Sequence, residues 1–296
     1  MSSADGSRIR DIGYAAYDGR RLPHSSRFAV LGRNTLSLFW KSGLVKTIFI
    51  LGMIPLVICA VVMFLKMSSA AALRSRQLPV PDMLQNAEFW IFNCAFWCQI
   101  WFCFAMSLVA GTASIADDVR TGALHFYFAR PVSKSHYVVG KLLAVGTLVG
   151  GLVLLPALLM ASMPLLFSDG VELTVGTKLG LMLGALAYGL IATAALTLPA
   201  IALSSLTSKS SYAMGGWTAL FFLPWVLGEG TASVANTPYL ALLSIPTNLR
   251  VVGGVLMGRP QEIAIPWLWS VIMLVLFSIA ALALLWRQLD RAEIIK

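Results

Sequence analysis

What limits this chain most is a succession of apolar runs, most of them about 20 residues or longer, separated by short basic segments. A helix rises 1.5 Å per residue, so about 20 residues cross a hydrocarbon layer ~30 Å thick. Runs of that kind lie at about 44–65, 89–115, 142–167, 179–205, 212–227 and 267–286. In lipid every backbone amide must be paired within the protein, and a helix does this one segment at a time. The expectation is an all-α integral membrane protein with six transmembrane helices. The fifth run is the shortest and holds Gly215, Gly216 and Pro224. Pro55, Pro156 and Pro199 are expected to kink their spans, with neighbouring helices satisfying the freed carbonyls.

Composition agrees. Of 296 residues, 58% are hydrophobic and 12% charged, with a mean hydropathy of +0.80. A soluble domain carries about 25% charged residues to keep its surface wetted. The net charge of +9 could serve nucleic acid, but the basic residues are spread between apolar runs. An anionic membrane surface explains them better, and no nucleic-acid partner is expected. Cys59, Cys94, Cys98 and Cys103 all lie inside apolar runs, where packing is the ordinary role of cysteine. The polar, basic N-terminal stretch lacks the apolar core of a cleavable signal peptide, so the run from Leu44 is expected to stay as an anchor.

Orientation follows from Lys and Arg. With six spans, 16 of them fall on the side of both termini and 6 on the other. Cationic loops resist translocation, so both termini are expected in the cytoplasm of a cell (inner or plasma) membrane protein. Residues 240–257 are apolar but hold Pro246, Asn248 and Arg250, and an Arg at mid-membrane costs roughly 3 kcal/mol. That stretch is expected to be interfacial or re-entrant on the outer face. Before the first span, residues 27–42 set Phe28, Leu31, Leu38 and Phe39 against Arg27, Arg33, Asn34 and Lys41, with Trp40 as an anchor. The pattern predicts an amphipathic helix along the inner surface; the alternative is an ordinary linker. The chain thus divides into a tail with its interfacial helix, 1–43, and a transmembrane domain, 44–296.

Enzyme constellations are missing from the sequence. Gly140-Lys141 is followed by Leu142, so it is no phosphate-cradling loop. There is no HExxH and no GxSxG, and His24, His125 and His136 have no carboxylates clustered about them. No Asp or Glu falls at mid-membrane, where an ion-coupled carrier usually needs one; Glu88 and Glu229 lie near span ends. No catalytic residue and no metal ligand is expected.

The segment 116–141 is the most informative. Asp117 and Asp118 close the second span, Thr121-Gly122 makes a break, and 124–129 is a short apolar, aromatic helix. Arg130-Pro131 ends that helix, since the residue before proline is pushed out of helical geometry. Ser133 can then cap a helix that enters the third span past Gly140-Lys141. A helix carrying Leu124, Phe126, Tyr127 and Phe128 beside a membrane must bury that face on a partner or on headgroups.

This order of features resembles the membrane subunit of ABC-2 type transporters: an acidic pair, Thr-Gly, a short hydrophobic helix, Arg130-Pro131, Tyr137 and Gly140-Lys141. Asp stands where that family usually has Glu, and Thr121-Gly122-Ala123-Leu124 where Gly-Thr-Leu is commoner. The resemblance implies a permease, an exporter of two such subunits (a homodimer or related heterodimer) with two cytoplasmic ABC ATPase subunits. ATP and Mg would then bind the ATPase and no cofactor this chain. It also implies that Asp117, Asp118, Arg120, Leu124, His125, Phe126, Tyr127, Arg130 and Pro131 form an ATPase-coupling segment. The rival reading is a channel, a secondary carrier or a structural membrane anchor.

In the second span Trp90, Asn93, Trp97, Trp101 and Phe104 recur at spacings of 3, 4, 4 and 3, so they share one helical face. From Asn93 to Phe104 that face can line a path for an amphipathic or aromatic cargo. It can equally meet lipid or pack on a neighbouring helix. Gly180 and Gly184, four apart, would let another helix approach closely.

Overall fold

The computed structural model of the protein describes residues 27–79, 94, 97–124, 133–166, 175–235, 238–257 and 265–294. Among these every regular element is helical. In chain order they are α1 (Arg27–Lys41), α2 (Gly43–Ser75), α3 (Trp97–Arg120), α4 (Lys134–Leu166), α5 (Val175–Ser204), α6 (Ser210–Ala235), α7 (Ile245–Leu256) and α8 (Trp267–Ile294). A 3-10 turn, Pro238–Leu243, lies between α6 and α7.

Among the described residues α2, α3, α4, α5 and α8 are long and apolar enough to cross a membrane. The helix of the fifth apolar run, α6, is 26 residues long and is not among these five. The five differ in how much they bury. In α3 61% of the most apolar stretch is covered by protein, against 22% in α2 and in α8. Ile50, Ile54, Val57, Ile58 and Val61 of α2 are exposed, as are Leu268, Ile272, Leu276 and Ile279 of α8. Water would penalise two such faces heavily, at about 25 cal/mol per Å² of apolar surface; hydrocarbon does not. The protein is therefore a multi-pass helical membrane protein with α3, α4 and α5 at its centre.

Small residues set the closest contacts. A Cβ on Gly111 of α3 would stand 2.7 Å from the Cβ of Ala200 of α5. Gly184 of α5 abuts the Leu256 backbone at the end of α7, whereas Gly180 meets nothing within 4 Å. Of the two glycines in the α5 repeat, only one is a packing site.

α3 is not a regular helix. Residues Ser107–Gly111 form a π turn. The Ser204 hydroxyl of α5 accepts from the Ala116 amide (2.8 Å) and donates to the Thr112 carbonyl (2.6 Å), two groups that an uninterrupted helix would pair with each other. It also accepts from the Ile115 amide at 3.0 Å. The Trp217 indole of α6 donates to the Ser107 hydroxyl at 3.0 Å. The backbone groups left open just after the π turn are thus satisfied by α5, and α6 bonds the Ser107 side chain within it.

α1 is amphipathic, but its faces divide differently from the sequence expectation. Leu31, Leu36 and Phe39 turn toward the core, with Gly32 and Thr35 buried between them, while Leu38 is 57% exposed. The helix rides on the start of α4: a Cβ on Gly32 would meet the Gly140 carbonyl at 3.1 Å, and one on Gly140 would meet Leu31 at 2.9 Å. α7 has twelve residues and is about 18 Å long, too short to cross a bilayer. Ser244 caps it by accepting from the Thr247 amide, and Ile245, Asn248, Leu249 and Val252 are wholly buried. It is packed among α5, α6 and α8 rather than laid on a surface.

Candidate functional site

The ends of α3 and α4 that flank the predicted coupling segment are tied together by one carboxylate. Asp118 Oδ2 accepts from Tyr137 Oη at 2.7 Å and pairs with Lys141 Nζ at 2.7 Å. The Lys141 side chain is 5% exposed and that of Asp118 17%, while Tyr137 is fully buried. Tyr137 and Lys141 are one helical turn apart on α4, so both present the same face to Asp118; the ammonium also lies 5.6 Å from the Tyr137 ring centre. Two charges held away from water hold each other: neither can be left alone there.

Around this pair the local sequence makes two clean helix ends. At the end of α3 the Thr121 amide bonds the Asp117 carbonyl at 2.9 Å and the Gly122 amide bonds that of Val119 at 3.2 Å. Gly122 has φ +71°, the left-handed conformation that glycine adopts without strain at a helix C-terminus. The order Thr-Gly, which departs from the commoner Gly-Thr, puts the glycine at the position that needs it. Ser133 then caps α4, its hydroxyl accepting from the His136 amide at 3.4 Å and its carbonyl from the Tyr137 amide at 3.1 Å.

Two further elements reach the same end of the bundle. Lys134 of α4 pairs with Asp290 of α8 at 2.7 Å. Phe28 of α1 stacks on His136, with ring centres 6.4 Å apart and planes 17° from parallel. The Asp117–Arg120 pair, 3.3 Å apart, is a different matter: side-chain exposures of 45% and 63% make it a wet surface contact of little energetic weight.

Of the predicted coupling residues, Asp117, Asp118, Arg120 and Leu124 are therefore in view. Leu124 is half-buried and packs on the protein's own core. His125, Phe126, Tyr127, Arg130 and Pro131 lie outside the described residues, as does Asn93 of the aromatic face. The described part of that face, Trp97, Trp101 and Phe104, meets α6. Trp101 lies 5.3 Å from the Trp225 ring and 5.7 Å from Phe221, and Phe104 stacks on Phe221 at 4.2 Å. The lower part of the stripe is thus filled by protein side chains. Trp97 stays half-buried at the top, with the Arg250 guanidinium of α7 at 5.1 Å over its ring. Sequence reasoning missed the Asp118–Tyr137–Lys141 cluster; the signal available was the one-turn spacing of Tyr137 and Lys141 after an acidic pair.

A many-spanning helical protein whose α3 and α4 are braced at one end is, as a class, a multi-pass membrane protein. The family comparison narrows this. A family model described as ABC-2 family transporter protein matches residues 41–286, so the chain belongs to that family and is an ABC-2 type permease. Members of this family are membrane subunits without an ATPase site of their own, and they work with ABC ATPases. No curated protein matches the chain.

Proposed function

We propose that this permease forms half of the membrane path of an ATP-driven exporter and takes its stroke through residues 116–141. The observation that carries the reading is the Asp118–Tyr137–Lys141 cluster, which ties both ends of that segment together at the edge of the bundle. A force applied to a loop is passed on only if the loop's ends are fixed to rigid elements, and here they are fixed to α3 and α4. In this reading Asp117 and Arg120 stay wet beside the ATPase, Leu124 anchors the segment to the permease, and His125, Phe126, Tyr127, Arg130 and Pro131 meet the ATPase groove. A second copy of the chain or a related permease completes the path, and ATP and Mg bind to the ATPase subunits. Of the aromatic face we assign only the Trp97 end, beside Arg250, to the cargo path. Affinity isolation of the native complex from membranes, followed by mass spectrometry, is expected to recover a P-loop ATPase in stoichiometric amount. A permease isolated without any nucleotide-binding partner, yet active, overturns the proposal.

Our topology has six spans, α6 being the fifth, with α7 re-entrant from the outer face and both termini in the cytoplasm of the cell membrane. It rests on the asymmetry of 16 against 6 basic residues. Single cysteines introduced as Ser75→Cys and Tyr239→Cys, both exposed positions, in a cysteine-free background should react with an impermeant maleimide from outside. Ser3→Cys should react only after permeabilisation. Reaction of Ser3→Cys in sealed right-side-out vesicles, with silence at the other two, reverses the orientation.

A further inference from the structure

We propose that Cys59 of α2 and the Cys94–Cys98 pair before and at the start of α3 form a redox site that closes to an interhelical disulfide at Cys59. Two pairings set the register of the helices. Gly52 of α2 lies against Phe102 of α3, where an added Cβ would stand 3.2 Å from that of Phe102. Cys59 lies within electrostatic reach of both Cys94 and Cys98, and the Cys94 and Cys98 side chains share a hydrogen bond. Helical geometry makes the two agree. Seven residues past Gly52, two turns on and on the same face, comes Cys59; four and eight residues before Phe102, again on one face, come Cys98 and Cys94. Antiparallel helices in contact at 52 and 102 therefore bring position 59 level with Cys94 and Cys98.

The chemistry follows from access. Cys94 is exposed, Cys98 intermediate and Cys59 buried, and none is in a disulfide. Among the described residues no three of His, Cys, Asp and Glu are arranged to hold a metal ion. A small disulfide such as glutathione disulfide is attacked by the exposed Cys94 thiolate, releasing one glutathione thiol and leaving a mixed disulfide. Cys59 displaces the second glutathione thiol, directly or after transfer of the bond to Cys98. Two protein thiols and one external disulfide become one protein disulfide and two external thiols. The bond ends on Cys59 because residues four apart on a helix hold their Cβ atoms about 5–6 Å apart, beyond the ~3.8 Å of a disulfide. The site lies at the end of α3 remote from Asp118. Under the orientation proposed above that is the outer end, where disulfides form and persist.

The test uses the full-length permease in nanodiscs. After treatment with glutathione disulfide, the protein is unfolded in detergent, alkylated with N-ethylmaleimide and weighed intact. The number of alkylated thiols is expected to fall from four to two, with a proteolytic peptide joining the Cys59 segment to that of Cys94 or Cys98. Cys103→Ser should still lose two thiols, and Cys59→Ser should lose none to a protein disulfide. Should Cys59→Ser fail to fold, Cys94→Ser at its exposed position should slow the oxidation on the order of tenfold. Four thiols still alkylated, glutathione adducts alone, cross-links only between two chains, or a bond that forms without Cys59 each overturn the proposal.

Discussion

Replacing Asp118 by alanine is expected to destabilise the permease by about 3–5 kcal/mol, because it leaves the Lys141 ammonium enclosed with no counter-charge. In a detergent-solubilised sample this should lower the apparent melting temperature by on the order of 10 °C. The desolvation of Lys141, rather than any attraction lost, is the larger part of that cost. Two companion variants separate the causes. Asp118→Ala combined with Lys141→Met removes both charges and keeps an unbranched chain of similar length in the pocket, so most of the loss should be recovered. Tyr137→Phe removes only a hydrogen bond to a charged acceptor and should cost about 1.5–3 kcal/mol. An Asp118→Ala protein as stable as the parent, or a double variant no better than the single, would show that the pair is solvated and that α3 and α4 are not joined there.

The helices were legible because lipid demands long apolar segments, and six such runs can be counted. Their ends were not, since hydropathy marks the edge of hydrocarbon and not the last hydrogen bond. α2 continues to Ser75 through alanines and leucine that favour helix, and stops shortly before Gln77 takes a positive φ of 56°. α8 likewise runs on to Ile294 through Arg287, Asp290 and Arg291. The cap at Ser133 and the break at Gly122 were also readable, being properties of a few adjacent residues. The Asp118–Lys141 pair was not, because its members stand 23 positions apart in the chain with an aromatic segment between them. The irregular stretch of α3 was hidden for a similar reason: Ser204 and Trp217, which bond to it, belong to other helices. Periodicity showed that Trp97, Trp101 and Phe104 share a face, but what covers that face depends on α6, which no period within α3 can report. Leu38 gives the same lesson on α1. A hydrophobic residue in an amphipathic stretch near a membrane has two apolar media to choose from, and here it turns away from the core.

The second large effect belongs to the aromatic residues of the coupling segment. If Phe126 and Tyr127 seat in a groove of the ATPase, burying each contributes about 1.5–3 kcal/mol. Changing both to serine should then cost about 3–6 kcal/mol of association, roughly a hundredfold to ten-thousandfold in affinity. The expected result is a permease that inserts and melts as the parent does, because the Asp118 cluster is untouched, while the ATPase no longer co-purifies or hydrolyses ATP without driving transport. Pro131→Ala should uncouple less completely. It alters the direction in which the chain returns to Ser133 and α4 but leaves the apolar face intact. Leu124→Ser should behave differently again, since Leu124 packs on the permease core: its loss should lower the stability of the permease itself. The competing arrangement, in which the same face lies on lipid headgroups, predicts normal ATPase recovery and weaker membrane association for the Phe126→Ser, Tyr127→Ser protein. Normal binding and normal coupling in that double variant would remove the coupling role from residues 125–131 and leave the family match without a mechanism in this segment.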